Sequence, residues 1–236
     1  QHWHIDAACL GLPDSSIPSL AAHWNDRSAW RQIPGLLLRD TGCLHEAPWS
    51  SSTVLPASTS PNYHPQAYPA LLDGAKFRLF TLGQGWGLSH VAHYRGSIRS
   101  HVQTRPVGLL RREIMELHEL YGALVFHVAG EHTPGEAVLE FARSCLTLPF
   151  SMAYSRDAHV LECDEATVDT LSASGCQALG FTLLTGSQRC LTDYFGENWT
   201  ISAVEKCLRR CREADIALHT ELIHPVPADD FHTRAE

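Results

Sequence analysis

The residues best suited to chemistry gather in one short stretch. Gly83-Gln84-Gly85-Trp86-Gly87 runs directly into Leu88-Ser89-His90-Val91-Ala92-His93. Three glycines in five residues let a backbone approach a ligand closely, and imidazoles three positions apart fall on one side of a turn. With Glu131, His132 or His224, His90 and His93 would form an imidazole and carboxylate set suited to a single Zn, Fe(II) or Mn ion. The plainer reading makes them polar loop residues in a chain that holds fifteen His. Gly130-Glu131 could contact a nucleoside or an amino acid, or simply turn the chain into the next helix. Arg156 and Ser187, the latter after Gly186, pair a guanidinium with a hydroxyl, a donor set for a carboxylate; a salt bridge or a cap is the alternative. Cys207 and Cys211 have a metal-like spacing, but Leu208 and Ala214 beside them point to packing.

Positioning these groups falls to an alternation of strands and helices. Short apolar runs at 77–82, 123–128, 150–154, 178–184 and 217–223 read as strands. Between them, 107–121 carries Leu110, Ile114, Leu117 and Tyr121 on one helical side, and 134–145 begins with Pro134 in its first turn. Helices at 164–172 and 201–214 start at the capping residues Asp164 and Thr200. Strands separated by one helix each must be parallel, so the fold class is α/β, an incomplete parallel (β/α) barrel of five strands. Ligands of such sheets lie beyond the carboxyl ends of the strands, where the glycine-rich loop, Gly130-Glu131, Ser155-Arg156-Asp157, Gly186-Ser187 and His224 collect.

Residues 1–46 read as a short N-terminal α/β remnant. A helix starting near Ser16 is stopped by Ile33-Pro34-Gly35, and a hairpin turns at Asp40-Thr41-Gly42. Residues 47–72 contain Pro48, Pro56, Pro61, Pro65 and Pro69 among Ser and Thr, the composition of an extended linker, and 73–236 hold the β/α series.

In all there are 236 residues, 44% apolar, with a net charge of -8, enough for a core and without a Lys/Arg cluster. Nucleic acid and anionic membrane are therefore excluded as main partners. No apolar run is long enough to span a bilayer and no secretory start is present, so a cytoplasmic location is expected. The sequence opens at Gln1 without Met, and an upstream segment is expected to have been removed or left out. None of the eight Cys forms a Cys-x2-Cys pair, which favours reduced, buried thiols.

Over about 33–223 the order of features resembles the cobalamin-dependent (B12-binding) radical S-adenosylmethionine (SAM) family. Ile33-Pro34-Gly35-Leu36 with Arg39-Asp40-Thr41-Gly42 is similar to the end of the family's cobalamin domain. Glu113-Ile114, Tyr121-Gly122, Ser174-Gly175-Cys176 and Gly186-Ser187-Gln188-Arg189 with Leu191 resemble the body of its barrel. Ala129-Gly130-Glu131 is similar to the Gly-Gly-Glu segment that meets the SAM amino group. The resemblance implies a barrel of the radical SAM type in 73–236, a cobalamin-domain remnant in 1–46, and a pocket in which Gly130, Glu131, Arg156, Gly186 and Ser187 retain SAM binding.

The family's cluster motif, Cys-x3-Cys-x2-Cys after the first barrel strand, is replaced here by Trp86, His90 and His93. Two imidazoles and an indole cannot replace three thiolates, so no [4Fe-4S] cluster is expected. The acidic residue that often precedes the Gly-Ser pair is also replaced, by Leu184-Thr185, and no sixth strand follows Pro225. The expectation is a degenerate member, a non-radical binding or partner subunit. Two alternatives stay open. One is a mononuclear-metal enzyme using His90 and His93. The other is half of a bipartite cobalamin/SAM enzyme, whose protein partner supplies the cluster and covers the edge strand at 217–223.

Overall fold

Residues 5–9, 16–40, 43–46, 79–86, 103–130, 133–159, 163–183, 185–194 and 199–222 are described by a computed structural model of the chain. The chain divides into two units, Gln1–Ala57 and Ser58–Glu236. The first contains β1 (Ala7–Cys9), α1 (Ser16–Ala22), α2 (Arg27–Trp30), β2 (Leu36–Asp40) and β3 (Cys43–Glu46). β2 pairs antiparallel with β1 and β3, and Trp30, Ile33, Leu36 and Leu38 form a small core. The single helix expected between Ser16 and Ile33 is in fact two. Asp26 restarts the helix by accepting from the N–H groups of Ser28 (3.0 Å) and Ala29 (3.3 Å); the Ser28 hydroxyl, donating at 2.6 Å, and these N–H groups hold its carboxyl below the ordinary range. β1, too, was not legible in the sequence, because three residues leave no periodic signal.

The second unit begins with β4 (Leu79–Gly83), β5 (Gly85–Trp86) and β6 (Gln103–Thr104). It continues with α3 (Val107–Tyr121), β7 (Val125–Ala129), α4 (Gly135–Cys145), β8 (Ala153–Asp157) and α5 (Glu165–Ala173). β9 (Cys176–Leu183), a π-helical turn at Cys190–Tyr194, α6 (Ile201–Glu213) and β10 (Ala217–Leu222) complete it. The five-stranded sheet has the order β10-β9-β8-β7-β4, and every neighbouring pair is parallel. Spatial order thus follows chain order, as repeated crossovers of one hand require. This is the sheet of an incomplete β/α barrel.

Alternation along each strand assigns its two faces. Phe80, Leu82, Phe126, Val128, Tyr154, Leu179, Phe181 and Leu183 are buried in one core with Leu110, Ile114 and Leu117 of α3, Val138 and Phe141 of α4, Val168 and Leu171 of α5, and Val204 of α6. The intervening residues lie on the other, open face. Helix ends follow local chemistry: α3 stops at Gly122, whose φ of 65° is left-handed and whose N–H donates to His118 O at 2.8 Å. Asp164 and Thr200 cap α5 and α6 through Thr167 N (2.8 Å) and Ala203 N (3.2 Å).

The third barrel strand differs from the expected 150–154. Pro149 lacks an N–H for a ladder, and Phe150 stacks instead on the His118 ring, with centroids 3.7 Å apart. The strand then runs through Ser155-Arg156-Asp157, which had the composition of a polar loop, because Ser155 and Asp157 occupy the open face. The described cysteines are free thiols, buried except for Cys9. Cys207 and Cys211 are 7% and 0% exposed, so both pack.

Phe126→Ala should lower unfolding stability by about 3–5 kcal/mol, because the cavity opens in the central strand beneath α3 and α4. Leu120→Ala, at a site 71% exposed, should change it by less than about 0.5 kcal/mol. Urea denaturation of both variants measures the contrast.

Candidate functional site: the carboxyl rim and open face of the sheet

The loop leaving β4 is fastened to its neighbours by backbone contacts. Gln84 N donates to Ala129 O (2.8 Å) at the end of β7, and the buried Gln84 side chain donates to Ala137 O (2.8 Å) in α4. Gly130, at φ 143°, lies so close to Gly85 that a Cβ there would stand 2.6 Å from Gly85 N and 2.5 Å from Thr133 Oγ1. Only glycine fits that approach. From the other side Arg105 N donates to Gln84 O (2.8 Å), while the Arg105 guanidinium sits 2.7 Å from the buried Glu113 carboxylate of α3. The start of the glycine-rich loop is therefore fixed by α3, β7 and α4 together.

The anticipated site residues are distributed unequally. Gly130 is at this rim; Glu131, His132, His90, His93 and His224 lie outside the described residues. Trp86 pairs through its backbone with Gln103 in the β5-β6 ribbon. Gly186 is exposed at the rim, whereas Ser187 is fully buried and its hydroxyl accepts from Cys190 N at 3.4 Å. Gln188 accepts from Ile201 N (2.9 Å) and donates to Trp199 O (3.2 Å), so Ser187-Gln188 joins the end of β9 to the start of α6.

Arg156 points away from the open face. It shares the helix-covered side with Tyr154, is 0% exposed, and uses Nε to donate to Asp157 O at 3.3 Å, while its terminal nitrogens find no partner among the described residues. Burial lowers its pKa. The Cys145 and Cys176 thiols share this layer, and burial pushes each up to about 12 despite the opposing charge of Arg156. These are packed, protonated thiols rather than nucleophiles or ligands.

The open face carries a polar constellation that the expected rim sites did not include. His127 of β7 is directly opposite Ser155 of β8, and their side chains meet at Nδ1 and Oγ, 3.0 Å apart. His127 Nε2 lies 3.4 Å from Asp157 Oδ2. Gly180 faces Asp157 from β9, and a Cβ at that position would come within 3.1 Å of Asp157 Oδ1. Beyond it, a cavity of about 220 Å³ is lined by Asp157, Gly180, Phe181, Thr182, His219 and Glu221. Thr81 flanks His127 from β4. The sequence signal was present, since His127 interrupts the apolar run Val125-Phe126-His127-Val128 at the alternate position. It becomes meaningful only once Ser155 and Asp157 are known to be strand rather than loop.

The Asp157 hydrogen bond and charge raise the pKa of His127 above its ordinary value, opposed by partial burial and by Arg156. Among the described residues no group of three or more His, Cys, Asp or Glu is arranged to hold a metal ion, and no helix is long and apolar enough to cross a membrane.

No protein-family model matches the sequence, and no curated protein matches it. Solved structures do. The radical SAM methyltransferase TsrM from Kitasatospora setae, with cobalamin and a [4Fe-4S] cluster bound, superposes with a TM-score of 0.68 at 16% identity, over 97% of this chain and 47% of that one. The cobalamin-dependent SAM radical enzyme OxsB, in its apo form, gives 0.71 at 11% identity, over 92% of this chain and 33% of that one. The fold is that of the cobalamin-dependent radical SAM enzymes. The chain spans about half the length of TsrM and a third of that of OxsB.

A raised folded-state pKa means that protonation of His127 adds stability below the unfolded value, near 6.5, and that this gain is lost as pH rises through the folded value. NMR titration of the His127 ring should give a midpoint above that of an exposed histidine. Asp157→Asn should bring the midpoint down; an unchanged midpoint would remove the carboxylate as its cause.

Proposed function

We propose that this chain is a radical SAM-like protein that has given up the radical cluster and works as a binding or partner subunit. The supporting observation is the donor set. The three positions that correspond to the family's cluster cysteines hold Trp86, His90 and His93, and no Cys occurs between Cys43 and Cys145. A [4Fe-4S] cluster takes thiolates as its ligands; neutral imidazoles lack their charge, and an indole has no lone pair to offer. The six described cysteines of the second unit offer no substitute, because all are buried. The residues present do not fit the cluster. Gly130 and the exposed Gly186 stand at the rim, which supports retention of a SAM-sized ligand there with Glu131 as a further candidate from the sequence, whereas Ser187 is buried and its hydroxyl is taken by Cys190 N.

A second reading, half of a bipartite enzyme, is favoured by β10. It forms an edge of the sheet, pairs only with β9 among the described residues, and all six of its residues are exposed, including Leu218 and Leu222. An uncovered edge of this kind is a template for a strand from a partner chain. Nothing in the overall charge favours nucleic acid or a membrane surface as that partner.

Anaerobic reconstitution with iron and sulfide, followed by iron analysis and a SAM-cleavage assay, tests the first reading. The expected result is no stoichiometric cluster and no 5'-deoxyadenosine. Four irons per chain with 5'-deoxyadenosine formed would overturn it.

A further inference from the structure

We propose that Ser155, His127 and Asp157 form an acyl-transfer site, with Ser155 Oγ as the nucleophile and a small carboxylic ester as the substrate class. Hydrogen-bond logic gives each group its role. His127 Nε2 stands 3.4 Å from Asp157 Oδ2, and because a carboxylate only accepts, the tautomer that this pair favours carries the ring proton on Nε2. In the neutral imidazole Nδ1 then has a free lone pair, and the contact with Ser155 at 3.0 Å becomes Oγ–H donating to Nδ1. A hydroxyl that donates to an imidazole held by a carboxylate is the arrangement that activates a serine, whatever fold carries it.

The sheet fixes this geometry. His127 and Ser155 are register partners on adjacent parallel strands, and Asp157 is two residues further along β8 on the same face. Gly180 leaves the space that the Asp157 carboxylate occupies. The three side chains are open to ligand, with 31% of His127 and 40% of Asp157 exposed, and the 220 Å³ cavity beside Asp157 has room for a small acyl or alcohol group.

In the step, Ser155 Oγ attacks the ester carbonyl carbon as its proton passes to His127 Nδ1. The bond from carbon to the leaving oxygen breaks, that oxygen takes the proton from His127, and water releases the acyl group by the same route in reverse. Strand N–H groups that are engaged in the ladder cannot serve the developing oxyanion. Reactivity is therefore expected toward activated esters and fluorophosphonates rather than amides. Asp157 is a positioning residue. Among the described residues the titratable groups on this face are His127, Asp157, and His219 with Glu221 on β10; Arg156 acts on His127 from the opposite side of the sheet, and β4 and β9 bring Thr81, Gly180 and Thr182 to it.

A fluorophosphonate probe on the full chain, mapped by mass spectrometry, together with p-nitrophenyl acetate turnover, tests the proposal. Ser155 should be labelled in the folded protein and not after denaturation, with a rate that rises with pH as His127 loses its proton. Ser155→Ala should abolish labelling. His127→Gln should slow it by about a hundredfold or more, the lower end of the range for loss of a general base. Asp157→Asn should move the pH midpoint downward. Label on another residue, no label on Ser155 in a protein with native circular dichroism, or a rate unaffected by His127→Gln would each overturn the site. These outcomes are independent of the iron measurement.

Discussion

A parallel strand buried on one side obliges alternate residues to be apolar, and leaves the others free for whatever chemistry the open side can use. That constraint runs through all the central strands. Phe126 and Val128 enclose His127, Tyr154 and Arg156 enclose Ser155, and Leu179 and Phe181 enclose Gly180. The hydrophobic driving force comes from the covered side, where four helices lay Leu, Val and Phe against the strands. Because the strands are in fixed register, residues that pack on one side set which polar ones meet on the other.

Arg156 is the exception to the apolar rule and is costly in proportion. A guanidinium removed from water, with two nitrogens that find no partner among the described residues, carries a desolvation penalty that its bond to the Asp157 carbonyl offsets only in part. Its charge lies behind the His127–Asp157 pair and opposes protonation of the imidazole. The covered layer thus contributes electrostatically to the open face as well as holding it in place.

At the strand ends the constraint is close approach of backbone. Gly85 and Gly130 pack where neither tolerates a Cβ, while Gln84, Arg105 and Glu113 draw the first loop onto α3 and α4. In TsrM, a protein of similar fold, the solved structure holds cobalamin and a [4Fe-4S] cluster. Here the fold is similar, and the stretch after β4 contains Trp86, His90 and His93 and no Cys. Scaffold and reactivity are separable properties, and the second depends on a few donor atoms.

Much of this was readable before any coordinates. Caps at Asp164 and Thr200, the helical face of 107–121 and the strand–helix alternation are local patterns whose free energy is decided within a few residues. So is the presence of Trp86, His90 and His93 after β4, since it concerns the identity of donor atoms and not their placement. The boundaries of β8 and the break between α1 and α2 were not readable, because a polar strand on an open face and a capped restart look like loop and continuous helix in composition. The meeting of His127 with Ser155 and Asp157, and the turn of Arg156 away from the rim, required the register between strands. The sequence by itself determined which atoms are available and which periods the backbone follows. Only the tertiary structure decided which of them meet, because pairing across a parallel sheet is set by helix packing between residues tens of positions apart.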